Sequence, residues 1–149
     1  METPGIKRFL DAHAKHFQTA LREIKNGRKI SHWMWYIFPQ IQGLGFSEMS
    51  RYYAIRDIQE AEEYFHDPVL GQNQLQICRA LLELDSGNAL AIFGTPDDLK
   101  LRSSLSLFLA LPHPDPIFKA VLDKFFGGSK DPVTLSILHD QRRNGDNVA

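Results

Sequence analysis

Asp115-Pro-Ile-Phe-Lys-Ala-Val-Leu-Asp-Lys-Phe-Phe-Gly-Gly128 carries a full set of helix signals in one stretch. The Asp115 carboxylate can accept an amide hydrogen left unpaired in the first turn. Pro116 stands at the first helical position, where it forfeits no hydrogen bond and its φ is already set. Gly127-Gly128 suits the turn that ends a helix. The same pairing of a capping residue with proline recurs at Thr3-Pro4, Asp67-Pro68, Thr95-Pro96 and Asp131-Pro132. One such pair is weak evidence. Five, most of them followed by apolar residues at steps of three and four, predict a chain of helices.

The spacing predicts a first helix over residues 4–26, with Ile6, Phe9, Leu10, Phe17, Leu21 and Ile24 on its apolar side and Gly27 just past its end. Ser31 is expected to cap a short helix over residues 32–38, which Pro39 stops. Its aromatic residues are strand formers too, but no partner strand stands out elsewhere. Gly43 and Gly45 mark a loop, and Ser47 should cap residues 48–53. Asp57 and Glu60, at capping-box spacing, open a helix to about His66. Further helices are expected over residues 68–84, 89–93, 96–111, 116–126 and 132–140. The expected fold is all-α, a single compact domain of about six to eight helices with no substantial sheet. It should occupy residues 1–140, with residues 141–149 a polar, flexible tail.

In a chain of 149 residues, a 43% hydrophobic fraction is enough to fill one core. The formal net charge of -1 offers no electrostatic reason to bind nucleic acid or an anionic membrane. No apolar run approaches the ~18 residues needed to span a bilayer, and no leader peptide is expected. Cys78 has no second cysteine to pair with and falls on an apolar helix face, as a small buried thiol. A reducing, cytoplasmic setting is expected.

Two segments are candidates for chemistry. In Ser31-His-Trp-Met-Trp-Tyr-Ile-Phe-Pro-Gln40, helical spacing puts His32, Trp35 and Tyr36 on one side and Trp33 elsewhere. Trp33, Trp35, Tyr36 and Gln40 could form an aromatic pocket with a polar rim that stacks a flat ring. The competing reading is a core helix whose polar tips are satisfied locally. In Pro96-Asp-Asp-Leu-Lys-Leu-Arg-Ser-Ser104, the two aspartates suit the first turn of a helix, and Asp98 and Arg102 have ion-pair spacing. Lys100, Arg102, Ser103 and Ser104 are candidates to hold a phosphate or carboxylate. Such a group of residues also fits a purely structural role. His32 and Asp98 are the acid–base candidates. His13 and His16 are three apart but lack a partner at zinc-site spacing, so they read as a solvated pair rather than metal ligands. Phosphate-loop, dinucleotide and nucleophile-elbow motifs are absent, so no cofactor is indicated.

Gly27-Arg-Lys-Ile-Ser-His-Trp-Met-Trp-Tyr-Ile-Phe-Pro-Gln40, Gly43-Leu-Gly45, Ile92-Phe-Gly94, Asp97-Asp-Leu-Lys-Leu-Arg-Ser-Ser104 and Phe126-Gly-Gly128 together resemble the motifs of a widespread bacterial family of small proteins of unknown function. The resemblance covers about residues 6–138. It implies an all-α fold and no established activity. Some members carry the label "calpastatin". An inhibitor of that kind is similar to a disordered chain, whereas the regular helix signals here argue for a packed core. The family pattern implies an Arg-Leu pair where this chain has Asn73-Gln74, which puts any ligand role of that arginine in doubt. The layout is also faintly similar to α-helical N-glycosidases linked to ADP-ribose. Two functions therefore compete with a purely structural role for the motifs. One is binding or turnover of a nucleotide-like or ADP-ribose-like small molecule. The other is a non-catalytic interaction module using the aromatic segment Trp33 to Phe38.

Overall fold

Every Asp-Pro pair in the sequence is a helix start in the computed structural model, which describes residues 5–146. Among these residues the chain forms α1 (Lys7–Lys25), α2 (Met34–Ile37), α3 (Glu48–Tyr52), α4 (Ile58–His66) and α5 (Pro68–Glu83). Then follow α6 (Ala89–Phe93), α7 (Asp97–Leu109), α8 (Pro116–Phe126) and α9 (Pro132–Asp146). Asp67 accepts the amide hydrogens of Val69 and Leu70 at 2.9 and 3.0 Å, Asp115 that of Ile117 at 2.9 Å, and Asp131 that of Thr134 at 3.0 Å. Each cap satisfies donors that the first turn cannot pair internally. The all-α expectation holds. Among the described residues the β content is one isolated parallel bridge between Ile41 and Ile55.

Four expectations meet a correction or a limit. Thr3-Pro4 lies outside the described residues. Thr95 does not cap α7: Gly94, at φ 72°, turns the chain so that its own carbonyl accepts the Asp98 amide hydrogen at 2.9 Å. Pro96, after a cis peptide bond, precedes the helix rather than opening it. Ser31 does not cap α2, because its hydroxyl and amide both donate to Glu23 on α1. Finally, α9 runs on past Asp140 to Asp146. Leu138 is buried in the core, and the Gln141 side chain donates to the Arg56 carbonyl at 2.9 Å, so the helix stays anchored beyond the expected break.

Two helices organise the core. α5 packs against α1, α4 and α8, while α7 packs against α4, α6, α8 and α9. Between them runs a file of rings, with Phe9, Tyr64, Phe108 and Phe118 at successive centroid separations of 5.1, 5.5 and 5.7 Å. Edge and offset ring packing of this kind adds to simple burial. α1 lies along one side of this core and carries three buried polar side chains on its inner face, Arg8, His13 and Glu23. A buried polar group must find partners inside the protein, and these three bind the chain that forms the candidate site.

Candidate functional site

Glu23 shapes the first half of the site. Its carboxylate accepts the amide hydrogens of Ile30 and Ser31 at 2.7 and 2.8 Å, the Ser31 hydroxyl at 2.6 Å and the Trp33 indole N–H at 3.0 Å. Burial opposes the charged form, but the bonds from Ser31, Ile30 and Trp33 outweigh it and hold the carboxyl at about 2. The segment after α1 is thereby wrapped around one anion. Trp33 is 1% exposed, packed against Phe38 and Phe93, so it is a core residue and not a ligand platform.

Trp35, two residues on, takes the opposite environment. It is half-buried, and the Lys100 ammonium stands 5.8 Å from its ring centroid. Lys100 is also 3.4 Å from Asp97, which pairs with Lys29 at 2.8 Å. The two candidate segments therefore meet in space, joined by Asp97, Lys29 and Lys100.

Arg8 shapes the second half. With Glu60 it forms a fully buried ion pair at 2.9 Å, and it donates to the Ala54 carbonyl at 2.8 Å. The bridge at Ile41 and Ile55 closes the same segment, with the Gln42 amide donating to Ile55 O and the Ile55 amide to Gln40 O, both at 2.8 Å. Tyr53 and Gln40 are thus brought beside Trp35. Two hollows result, and Trp35 and Tyr53 line both. The smaller, about 50 Å³, is walled by Gln40, Gly43, Gly45, Ser50 and Arg51 among others. The larger, about 380 Å³, is walled by Asp11, Lys15, His16, His32, Tyr36 and Met49.

His13 stands behind this wall. It is buried, not solvated as the sequence suggested. Its Nε2 lies 2.8 Å from the Tyr36 carbonyl, and the Asn73 amide nitrogen lies 3.1 Å from its Nδ1. That set assigns the proton to Nε2 and leaves Nδ1 the acceptor. Burial pushes the imidazole down to about 4. The Tyr64 hydroxyl also donates to the Tyr36 carbonyl, at 3.0 Å. Tyr36 is itself pushed up to about 12, by burial first and then by neighbouring Tyr53. Asn73, where the family resemblance implied arginine, faces His13 rather than either hollow.

The sequence-predicted residues are thus divided. His32, Trp35, Tyr36 and Gln40 line the hollows, and Lys100 covers Trp35. Arg102 is turned away: it donates to the Ser129 carbonyl at 2.7 Å, the Ser129 hydroxyl at 2.8 Å and the Lys130 carbonyl at 2.8 Å. Ser103 is buried and its hydroxyl reaches the Leu99 carbonyl and Asp131, each at 3.1 Å. Ser104 is buried too. Burial works against the Asp131 charge, but Thr134, Ser103 and nearby Arg102 hold its carboxyl below the usual range. Arg102 and Ser103 therefore dock the start of α9, and no phosphate site forms from the four residues together. Asp98 lines neither hollow, and one of its carboxylate oxygens is buried without a hydrogen bond.

Sequence reasoning missed Glu23, Lys15, Tyr53 and Arg51. Glu23 left a signal: it is an acid amid the apolar Ala20, Leu21 and Ile24 of α1. Lys15 and Asp11, four apart, share a face with His16 beside them, but nothing in the sequence says that His32 stands opposite.

The same fold is found in the crystal structure of the conserved hypothetical protein Rv1873 from Mycobacterium tuberculosis. The TM-score is 0.87 at 36% identity, over 90% of this chain and 96% of that chain. No curated protein matches the chain. No helix among the described residues is long and apolar enough to cross a membrane. Residues 3–138 match the family described as "Protein of unknown function (DUF1810)", and the chain belongs to that family.

Proposed function

We propose that the chain binds a small molecule with a flat ring, nucleotide-like or ADP-ribose-like, in the hollows beside Trp35. One observation carries this reading: the Trp35 indole is half-buried in the wall that both hollows share, with Tyr53 beside it. A core tryptophan, like Trp33, would be fully enclosed. The larger hollow, about 380 Å³, falls within the ~300–1,000 Å³ typical of ligand sites. If the ligand is turned over, His32 is the side chain in position to carry a proton, since Asp98 lies off the hollows. Tryptophan emission tests the reading directly. Titration with nucleotides and ADP-ribose should perturb the signal of the native chain, and Trp35→Phe should abolish the response. No response at millimolar ligand would sink it.

The segment from Trp33 to Phe38 does not offer the contact surface the sequence suggested for an interaction module, because all of it but Trp35 is buried. A second reading of that kind rests on a different observation. Phe46, Met49 and Tyr52 are exposed next to the hollows, Phe46 at 80%. Clustered large apolar side chains suit a protein contact. A non-catalytic interaction module would show self-association in light scattering that Phe46→Ser reduces. A monomer at high concentration, unchanged by that variant, counts against self-association.

A further inference from the structure

We propose that the larger hollow contains an anion subsite made by Lys15, His16 and His32, which receives the phosphate of a nucleoside monophosphate whose base lies against Trp35. The inference rests on the small-molecule reading above and moves its charged end from α7 to α1. Arg51 lines the smaller hollow, and the basic side chains of Lys15, Lys29, Lys100 and Arg102 differ in whether they are engaged. Lys100 and Lys29 share Asp97, and Arg102 is consumed by the Ser129–Lys130 backbone. Lys15 forms no ion pair among the described residues, is exposed, and lines the hollow.

The geometry gathers the three donors from two elements. Lys15 and His16 lie one turn beyond Asp11 and Ala12 on the same face of α1. Buried Ala12 also lines the hollow. The His16 ring lies 5.7 Å from that of Tyr36. His32 comes from the loop that Glu23 holds, and its carbonyl accepts the Tyr36 hydroxyl at 3.3 Å. Asp11, the carboxylate on this rim, is paired with Lys7 at 2.9 Å. An ammonium and two imidazole N–H groups offer charge-assisted donors to the several oxygens of a phosphate. A neutral ligand would leave all three without use.

Titrations of adenosine 5′-monophosphate, adenosine and pyrophosphate separate the two claims. Tryptophan emission reports the ring, and the ring-proton NMR signals of His16 and His32 report the anion. We expect the monophosphate to bind at least tenfold more tightly than adenosine. Lys15→Met should erase most of that ratio while leaving adenosine affinity unchanged, and His16→Gln should reduce it. Lys100→Met should leave the ratio intact. Equal affinity for monophosphate and adenosine overturns the subsite but spares the ring reading. Loss of the ratio in Lys100→Met and not in Lys15→Met also overturns it. Histidine shifts with pyrophosphate, without any tryptophan response to the nucleosides, uphold the subsite and overturn the ring reading. No response to any of the three overturns both.

Discussion

The Glu23 carboxylate holds the Trp33 indole N–H at 3.0 Å inside the core, and this one contact decides which of two tryptophans faces solvent. With Trp33 locked inward and α2 beginning at Met34, Trp35 is left at the wall of the hollows. Glu23→Gln would place an amide donor against donors from Ser31 and Ile30. Such a buried mismatch costs about 2–3 kcal/mol. Urea unfolding should show that loss, together with a weaker near-ultraviolet signal from Trp33. A change below about 0.5 kcal/mol would show that Glu23 does not hold the segment.

Acid should act on two groups in separate windows. His13 has a folded value of about 4 against an ordinary 6.5, so the unfolded chain binds more protons between these limits. Stability is full above pH 6.5 and is lost as pH falls toward 4, by up to about 3 kcal/mol. Glu23, held at about 2 against an ordinary 4.5, contributes stability that is present above pH 4.5 and lost as pH falls toward 2. Unfolding free energies measured from pH 8 to pH 3 should show both slopes. His13→Gln should flatten the upper window alone.

Arg102 and Trp35 should separate stability from binding. Arg102→Ala removes three contacts to Ser129 and Lys130 and should destabilise by about 1–2 kcal/mol with ligand affinity unchanged. Trp35→Phe should cost under about 1 kcal/mol and abolish ligand binding, since the ring is half-buried. Trp33→Phe should cost about 2 kcal/mol or more through a core void and the loss of its hydrogen bond to Glu23. The three midpoints from one thermal melt series rank these effects. Reversal of the Arg102 and Trp35 outcomes would return the site to α7.

Cys78 should be silent in the folded protein. The thiol is fully enclosed, and burial, with a smaller contribution from Asp115, pushes it up to about 12. Thiolate, not thiol, is the reactive form. Aromatic disulfide reagents should therefore label it only at the rate of global unfolding, and sub-denaturing urea should speed labelling in proportion. Fast stoichiometric labelling in buffer would contradict this.

The helices were legible because their determinants are local. Asp67, Asp115 and Asp131 cap the turns that directly follow them, so three or four residues of sequence carry the whole cause. The expected starts failed where a side chain on another element, or an adjacent turn, intervened. Ser31 was drawn to Glu23, and the turn at Gly94 displaced Thr95 from α7. The α9 end failed for a similar reason, since Gln141 is held by Arg56, 85 positions away.

The candidate site was legible only in part. Aromatic residues at 33, 35 and 36 marked the segment, but helical phase cannot say which ring meets solvent when a buried carboxylate selects one of them. Arg102, Ser103 and Ser104 look like an anion site in sequence because their side chains are the right chemical type. Only the position of residues 129–131 turns two of them into anchors for α9.

By itself, the sequence determined an all-helical chain, its principal helix starts and the segment where a site should be sought. These follow from caps, prolines and apolar spacing, whose effects reach no further than a turn or two of helix. Only the tertiary structure decided that Trp33 is core while Trp35 is wall, that Arg102 serves α9, and that Lys15 and His16 share a hollow with His32. Those outcomes depend on where buried charges such as Glu23 and Arg8 find their partners. A buried charge must be satisfied by whatever the fold brings within reach, however distant in sequence.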